Sequence, residues 1–263
     1  MGSAVVEFED IGKVFDAGRR AVRAVEHVDF RVYDGEFVTI VGPSGCGKST
    51  LLNMAAGLLQ PTEGTVRYRG APVTGYNLVT GYMTQNDHLL PWRDVVGNIA
   101  VPLEIKRLPR ARIRERVQAL IDLVGLTGFE RSYPAQLSGG MRKRTALARL
   151  LAYDPETFLM DEPFAALDAQ LRVNMQIEVR RLCRRLNKTV LFVTHDLDEA
   201  VALGDRCVVF SPRPGTIRKI IDIPLAPARD LLRLRHDPAY VALTAELWDM
   251  IAPSFAATGG EPG

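Results

Sequence analysis

Apolar runs of two kinds divide the chain. Residues 5–10 and 28–32 alternate apolar with polar, the period of a half-buried strand. Phe37–Val41 is unbroken and largely β-branched, as expected of a strand buried on both faces, and Asp34-Gly35 supplies a turn into it. Residues 51–56 read as a helix stopped at Gly57, and 65–68 as a strand after the 61–64 turn. Tyr82-Met83-Thr84 then leads into Gln85. From about 86 to 154 the texture is helical. Over 109–124 the residues Ile113, Val117, Leu120, Ile121 and Val124 share one face, with Pro109 suited to the start and Gly125 to the stop. Arginines 110, 112, 114 and 116 fall on the solvated face. Strand texture returns at 157–160, Thr189–Val193 and 207–210. A helix over 169–186 separates the first two, with Leu171, Met175, Val179, Leu182 and Leu186 as its buried stripe. Strands alternating with helices predict an α/β core with a mostly parallel sheet covered on both faces. The core is expected over 1–85 and 155–222, with 86–154 inserted as a helical subdomain. An extension over 223–255 carries one helix near 238–251, and 256–263 is expected to be a disordered tail.

Composition changes this picture little. A chain of 263 residues, 47% apolar and 24% charged, suits one large domain, here 1–255. A net charge of +2 argues against a sequence-independent nucleic-acid binder. Cys46, Cys183 and Cys207 are scattered and odd in number, which suits a reducing compartment rather than a disulfide framework or a zinc site. The first ten residues lack a secretory pattern, and no apolar stretch nears the ~20 residues that span a bilayer. The expectation is a soluble, cytoplasmic protein.

The chemistry starts at Gly42-Pro43-Ser44-Gly45-Cys46-Gly47-Lys48-Ser49-Thr50, which satisfies G-x-x-x-x-G-K-[ST] between a strand and a helix. That context makes a cup of backbone N–H groups at a helix N-terminus, which binds a phosphate chain. Glycines 42, 45 and 47 allow close approach and positive φ. Lys48 can place its ammonium on the β- and γ-phosphates, and the Ser49 hydroxyl can ligate Mg²⁺.

Two further stretches extend the site. The strand at 157–160 ends in Asp161 and Glu162, at the edge where ligands of parallel sheets bind. Asp161 is placed to hold Mg²⁺, and Glu162 to polarise the water that attacks the γ-phosphate. Leu137-Ser138-Gly139-Gly140-Met141 opens a helix with Ser138 as its N-cap, a second anion-binding helix end. Two phosphate-binding helix ends in one chain suggest that a second copy donates this end to the first copy's ATP.

With these motifs in order, residues 5 to about 214 resemble an ATP-binding cassette ATPase, the nucleotide-binding subunit of a membrane transporter. The resemblance implies a P-loop NTPase (RecA-like) core with an antiparallel β portion and an inserted α-helical subdomain. It implies that Phe15 stacks on adenine, that Gln85 senses Mg²⁺ and the γ-phosphate, and that 137–141 is the signature offered to the partner's ATP. Glu162 would be the catalytic carboxylate, Asp168 a dimer contact and His195 the switch histidine, with Lys48 and Gln85 assisting. His195 follows the strand Thr189–Val193, so it too falls at the carboxyl edge. His27, His88 and His236 read as ordinary surface or packing residues. Met141, Lys143 and Ala166 depart mildly from the family pattern and remove no catalytic group.

Leu89-Leu90-Pro91-Trp92, residues 161–172 and Ser211-Pro212-Arg213-Pro214-Gly215 further resemble importers of nitrate, sulfonate, taurine and related solutes. That branch implies a dimer energising a separate integral-membrane permease from the cytoplasmic face of a bacterial inner membrane, with a periplasmic solute-binding protein acting through it. It implies no nucleic-acid partner. An exporter or lipid-transport ATPase is the alternative. A protein of translation or chromosome maintenance is disfavoured by the single phosphate loop and the absence of sustained heptads. A module that binds ATP without cleaving it is disfavoured by Glu162 and His195. Leu89, Leu90 and Trp92 either pack beneath the helical stretch or line a groove for a permease helix, and Trp92 suits a half-exposed anchor.

Overall fold

The computed structural model describes residues 2–16, 21–226 and 229–258, the side chains to 252. Two compact units make up the chain: Met1–Leu78 with Gln176–Gly263, and Val79–Met175.

The first unit opens with two 13-residue strands, β1 (Ala4–Asp16) and β2 (Ala21–Tyr33), paired antiparallel. Both outrun the stretches that alternate in sequence. Register shifts around Phe8, Ile11 and Lys13 break the alternation without ending the pairing. Asp10 and His27 take positive φ of 49° and 48° there, and His27 Nδ1 lies 2.7 Å from Asp10 Oδ1. That carboxylate raises the His27 pKa above its ordinary value, which favours the charged imidazolium beside Asp10. After β3 (Phe37–Val41) and helix α1 (Lys48–Ala55), β4 (Glu63–Tyr68) and β5 (Ala71–Pro72) complete an antiparallel sheet in the order β2-β1-β4-β5.

The second unit begins with β6 (Thr80–Met83), then α2 (Val95–Ile105), α3 (Arg110–Leu123), a 3₁₀ turn at Pro134–Gln136, α4 (Gly139–Tyr153) and β7 (Thr157–Asp161). β6 and β7 run parallel, with Met83 opposite Met160. In α3, Val117, Leu120, Ile121 and the capping Val124 are buried, Ile113 is half-buried, and the four arginines are exposed, as the periodicity predicts. Gly125 follows at φ 64°.

The long helix α5 (Ala169–Arg185) carries the chain into β8 (Thr189–Val193), α6 (Leu197–Leu203), β9 (Arg206–Phe210), β10 (Ile217–Asp222) and the C-terminal α7 (Pro238–Thr258). In α5 the stripe is shifted from the expected one. Met175, Gln176, Val179, Arg180 and Cys183 are buried, Leu171 and Leu182 half-buried, and Leu186 exposed. Leu186 misses the stripe because the helix stops at Arg185. β3 pairs parallel with both β8 and β9, and β10 closes that edge antiparallel. Parallel and antiparallel sheets thus combine with helices in the expected α/β class. Tyr240, Leu247 and Ile251 of α7 join Val41, Val201, Cys207, Val209 and Ile221 in one apolar cluster. α7 runs on through 256–258, where the sequence predicts disorder. The remainder of that expected tail, 259–263, lies outside the described residues. Among the described residues no helix is long and apolar enough to cross a membrane.

Candidate active site

The phosphate loop is built from the end of β3. Gly42, Gly45 and Gly47 take φ of 155°, 72° and 101°. At Gly47 a Cβ would come 2.3 Å from Val25 Cγ1, so sterics as well as conformation require glycine. Gly47 caps α1 with no side-chain capping hydrogen bond, which leaves first-turn N–H groups for an anion cradle. Lys48 is 7% exposed, and its ammonium donates to Gly42 O and Pro43 O at 2.8 Å each. Pro43 and Cys46 are buried, Thr50 is half-buried, and Ser44 and Ser49 are exposed. Burial pushes the Cys46 thiol above the ordinary cysteine range, against the pull of Lys48.

β8 lies beside β3 with Val193 opposite Ile40, and Thr194 N donates to Ile40 O at 3.2 Å. The chain therefore leaves β8 at His195 on the same edge where it leaves β3 at Gly42. His195 is exposed. Its backbone is fixed from below: Thr194 Oγ1 donates to the buried Glu199 Oε2 at 2.7 Å, and Gln176 Nε2 holds the other carboxylate oxygen at 3.1 Å. Phe15, near the end of β1, exposes 41% of its surface, and the Lys13 ammonium sits 5.4 Å from its ring centroid.

The acidic residues Asp161 and Glu162 lie in the second unit. Because Met83 and Met160 are paired, Gln85 and Glu162, each two residues further, leave neighbouring strands at one edge. Gln85 Nε2 donates to Glu162 Oε2 at 3.4 Å. Glu162 takes a positive φ of 49°, a strained conformation for a non-glycine residue, while Asp161 is 4% exposed. Ser138 caps α4, accepting from Met141 N at 3.2 Å, as its position in the sequence predicts. A Cβ at Gly140 would meet Ala166 O at 3.0 Å. Asp168 accepts from Leu171 N at 3.0 Å and so caps the start of α5. No cluster of three or more His, Cys, Asp or Glu side chains occurs among the described residues. Ser49 in the first unit, and Gln85 and Asp161 in the second, each carry the kind of hard oxygen donor that Mg²⁺ prefers.

Two contributors, the 213–215 segment and Lys143, carry no local signal of their role. Arg213 donates through Nε and Nη2 to Gly45 O at 3.2 Å, and Gly215 exchanges backbone bonds with Ala24 and Glu26. A Cβ at Gly215 would stand 1.9 Å from Cys46 O. Gly215→Ala is therefore expected to displace the phosphate loop, costing about 1–3 kcal/mol of stability and at least several-fold in ATP affinity. Gly75→Ala, where a Cβ meets nothing within 4 Å, is the control. Thermal melting and fluorescent-ATP titration check both; a Gly215→Ala protein matching the control would contradict the bracing role. Lys143 is the second contributor. It is 9% exposed and donates to Gln85 O and, at 3.4 Å, to Thr84 O. Burial lowers its pKa while Asp87, Asp161 and Glu162 oppose that shift.

The glycine cradle, its lysine and the α/β sheet define a P-loop NTPase. The sequence profile described as ABC transporter matches residues 25–165. An uncharacterized ABC transporter ATP-binding protein of Methanocaldococcus jannaschii is 48% identical over 225 residues, covering 86% of this chain and 84% of that protein. The nitrate import ATP-binding protein of Synechococcus elongatus is 39% identical over 259 residues, covering 97% and 94%. The aliphatic sulfonates import ATP-binding protein of a Bacillus cereus strain is 41% identical over 217 residues, covering 82% and 85%. Among solved structures, a dimeric ATP-binding cassette in a post-hydrolysis state, bound to ADP and Pi, superposes with a TM-score of 0.78 at 29% identity, covering 84% of this chain and all of that one. The chain belongs to the ABC transporter family and is an ATP-binding, ATP-hydrolysing subunit of it.

Proposed function

We propose that this protein energises uptake of a small anionic solute of the nitrate, sulfonate or taurine type through a separate permease. The observation that supports the importer reading is the likeness to a nitrate import protein along 97% of this chain. In this reading residues 1–255 form one ATPase domain, with its core over 1–85 and 155–222, a helical subdomain over 86–154 and an extension over 223–255. Two copies pair head to tail around two ATP. Each site joins one chain's 42–50 loop, Phe15, Gln85, Asp161, Glu162 and His195 to the partner's 137–141, with Asp168 at the dimer contact.

The division of labour follows from the chemistry of the side chains. Backbone N–H groups and Lys48 hold the phosphates, and Ser49, Gln85 and Asp161 would hold Mg²⁺. That ion, when bound, neutralises charge developing on the transferred phosphoryl group. Glu162 takes a proton from the attacking water, and His195 donates to the γ-phosphate. Donors aimed at phosphoryl oxygens in a water-poor interface supply most of the barrier reduction. ATP closes the dimer and product release reopens it, which drives the permease.

Direction is testable in proteoliposomes containing the whole transporter. Adding the solute-binding protein loaded with nitrate or taurine is expected to raise ATP turnover and drive uptake. Stimulation by solute alone, with outward movement, would favour an exporter. The docking site is proposed around residues 86–92. Leu89 is buried, whereas Trp92 exposes 71% of its surface on a loop latched by the buried Asn98. Trp92→Ala is expected to reduce co-purification with the permease at least tenfold, the scale of a lost aromatic anchor. Lost folding or lost turnover of the isolated subunit would instead make Trp92 a packing residue, and unchanged assembly would remove it from the interface.

A further inference from the structure

A residue that presents its side chain to a reacting centre must have its backbone fixed, because an error of about 1 Å can cost on the order of 100-fold in rate. Gln85 lies in the connection after β6, outside regular secondary structure. Its carboxamide reaches Glu162 Oε2, so the question is what holds its main chain. The answer is the face of α4. Lys143 takes the carbonyls of Thr84 and Gln85. Arg149 takes those of Asp87 and His88, at 2.8 and 2.9 Å. Arg142 binds the Asp87 carboxylate at 3.1 Å and Leu137 O at 2.8 Å. Thr84 Oγ1 donates to Asn86 O at 2.7 Å, so every carbonyl from 84 to 88 is engaged. Of the three cations only Lys143 grips Gln85 itself. It is also the most buried of them, so its donors have few alternatives.

We propose that Lys143 is a positioning residue for ATP hydrolysis: it clamps the main chain of Gln85 so that the carboxamide stays on Glu162. This rests on the roles proposed above for Gln85 and Glu162. Loss of a merely stabilising contact would lower melting temperature and activity together. Loss of a clamp on Gln85 lowers kcat, leaves ATP binding alone and needs Gln85 to be felt.

The test uses the purified full chain, with kcat and KM for Mg·ATP, fluorescent-ATP affinity and thermal melting measured in parallel. Lys143→Met is expected to lose at least tenfold in kcat, with KM and affinity within about twofold of the parent. Lys143→Gln, which keeps an N–H donor, is expected to recover most of that loss; it carries the test if Lys143→Met fails to fold. In a Gln85→Ala background, Lys143→Met is expected to add nothing, as for two residues acting as one unit. Unchanged kcat in Lys143→Met or Lys143→Gln at the level of Lys143→Met would overturn the clamp. So would losses that multiply in the double variant. Parental kcat in Gln85→Ala alone would overturn the reading of Gln85 itself, and is read separately from any effect of Lys143.

Discussion

Glu162→Gln is expected to bind ATP as the parent does and to lose ~10²–10⁴-fold in turnover, the usual cost of removing general-base assistance. The substitution keeps the shape of the side chain and a polar contact for Gln85, which lies 3.4 Å from Glu162 Oε2, but removes the proton acceptor. The positive φ at Glu162 is set by the backbone after β7 and is equally available to glutamine. Because ATP persists, the variant should accumulate as a closed dimer on size exclusion with Mg·ATP. Steady-state turnover within a few-fold of the parent would remove Glu162 from the catalytic role. A loss of ATP affinity would mean that the carboxylate holds the nucleotide rather than the water.

Ser138→Arg acts on the other side of the same site. Ser138 ends the chain's approach to α4 and caps its first turn through Met141 N. An arginine there removes the cap, worth about 1 kcal/mol, and fills the space in front of the helix end. If that end serves the partner's γ-phosphate, hydrolysis is abolished while each monomer still binds ATP through its own 42–50 loop. Fluorescent-ATP titration of the variant, beside its steady-state turnover, separates the two effects. Lost nucleotide affinity in step with lost turnover would place Ser138 in its own chain's site.

The parts of the site that sequence reveals are those whose chemistry is local. The 42–50 loop is a contiguous motif between an apolar strand and a helix, and the structure gives its glycines positive φ. Ser138 is a cap three residues before its acceptor's partner, again a short-range pattern. Asp161 and Glu162 end a strand that any hydropathy reading finds. What sequence does not reveal is long-range. Lys143 and Gln85 are 58 positions apart, and Arg213 and Gly45 are 168. Such pairs are fixed by strand order and helix placement, so Lys143 reads in the sequence only as a departure from a signature, and Ser211–Gly215 only as a fingerprint of a branch. Alternation in the sequence covers only part of β1 and β2, because at the irregular pairing near Asp10 and His27 it fails while strand pairing continues. The periodicity puts Leu186 in a stripe that its helix does not reach.

In the proposed dimer, one chain's phosphate loop and another chain's signature helix make a single catalytic site. Mixing Ser138→Arg chains with Lys48→Ala chains tests it most directly. Each variant alone is expected to be inactive: Lys48→Ala loses a charge-assisted contact to phosphate, and Ser138→Arg spoils the end offered to its partner. In a mixed dimer one site combines an intact Lys48 with an intact Ser138, and the other carries both lesions. Titrating one variant into the other is predicted to restore ATP turnover, peaking at equal amounts, with each mixed dimer holding one competent site. No recovery at any ratio, with mixed dimers shown to form, would contradict the shared site.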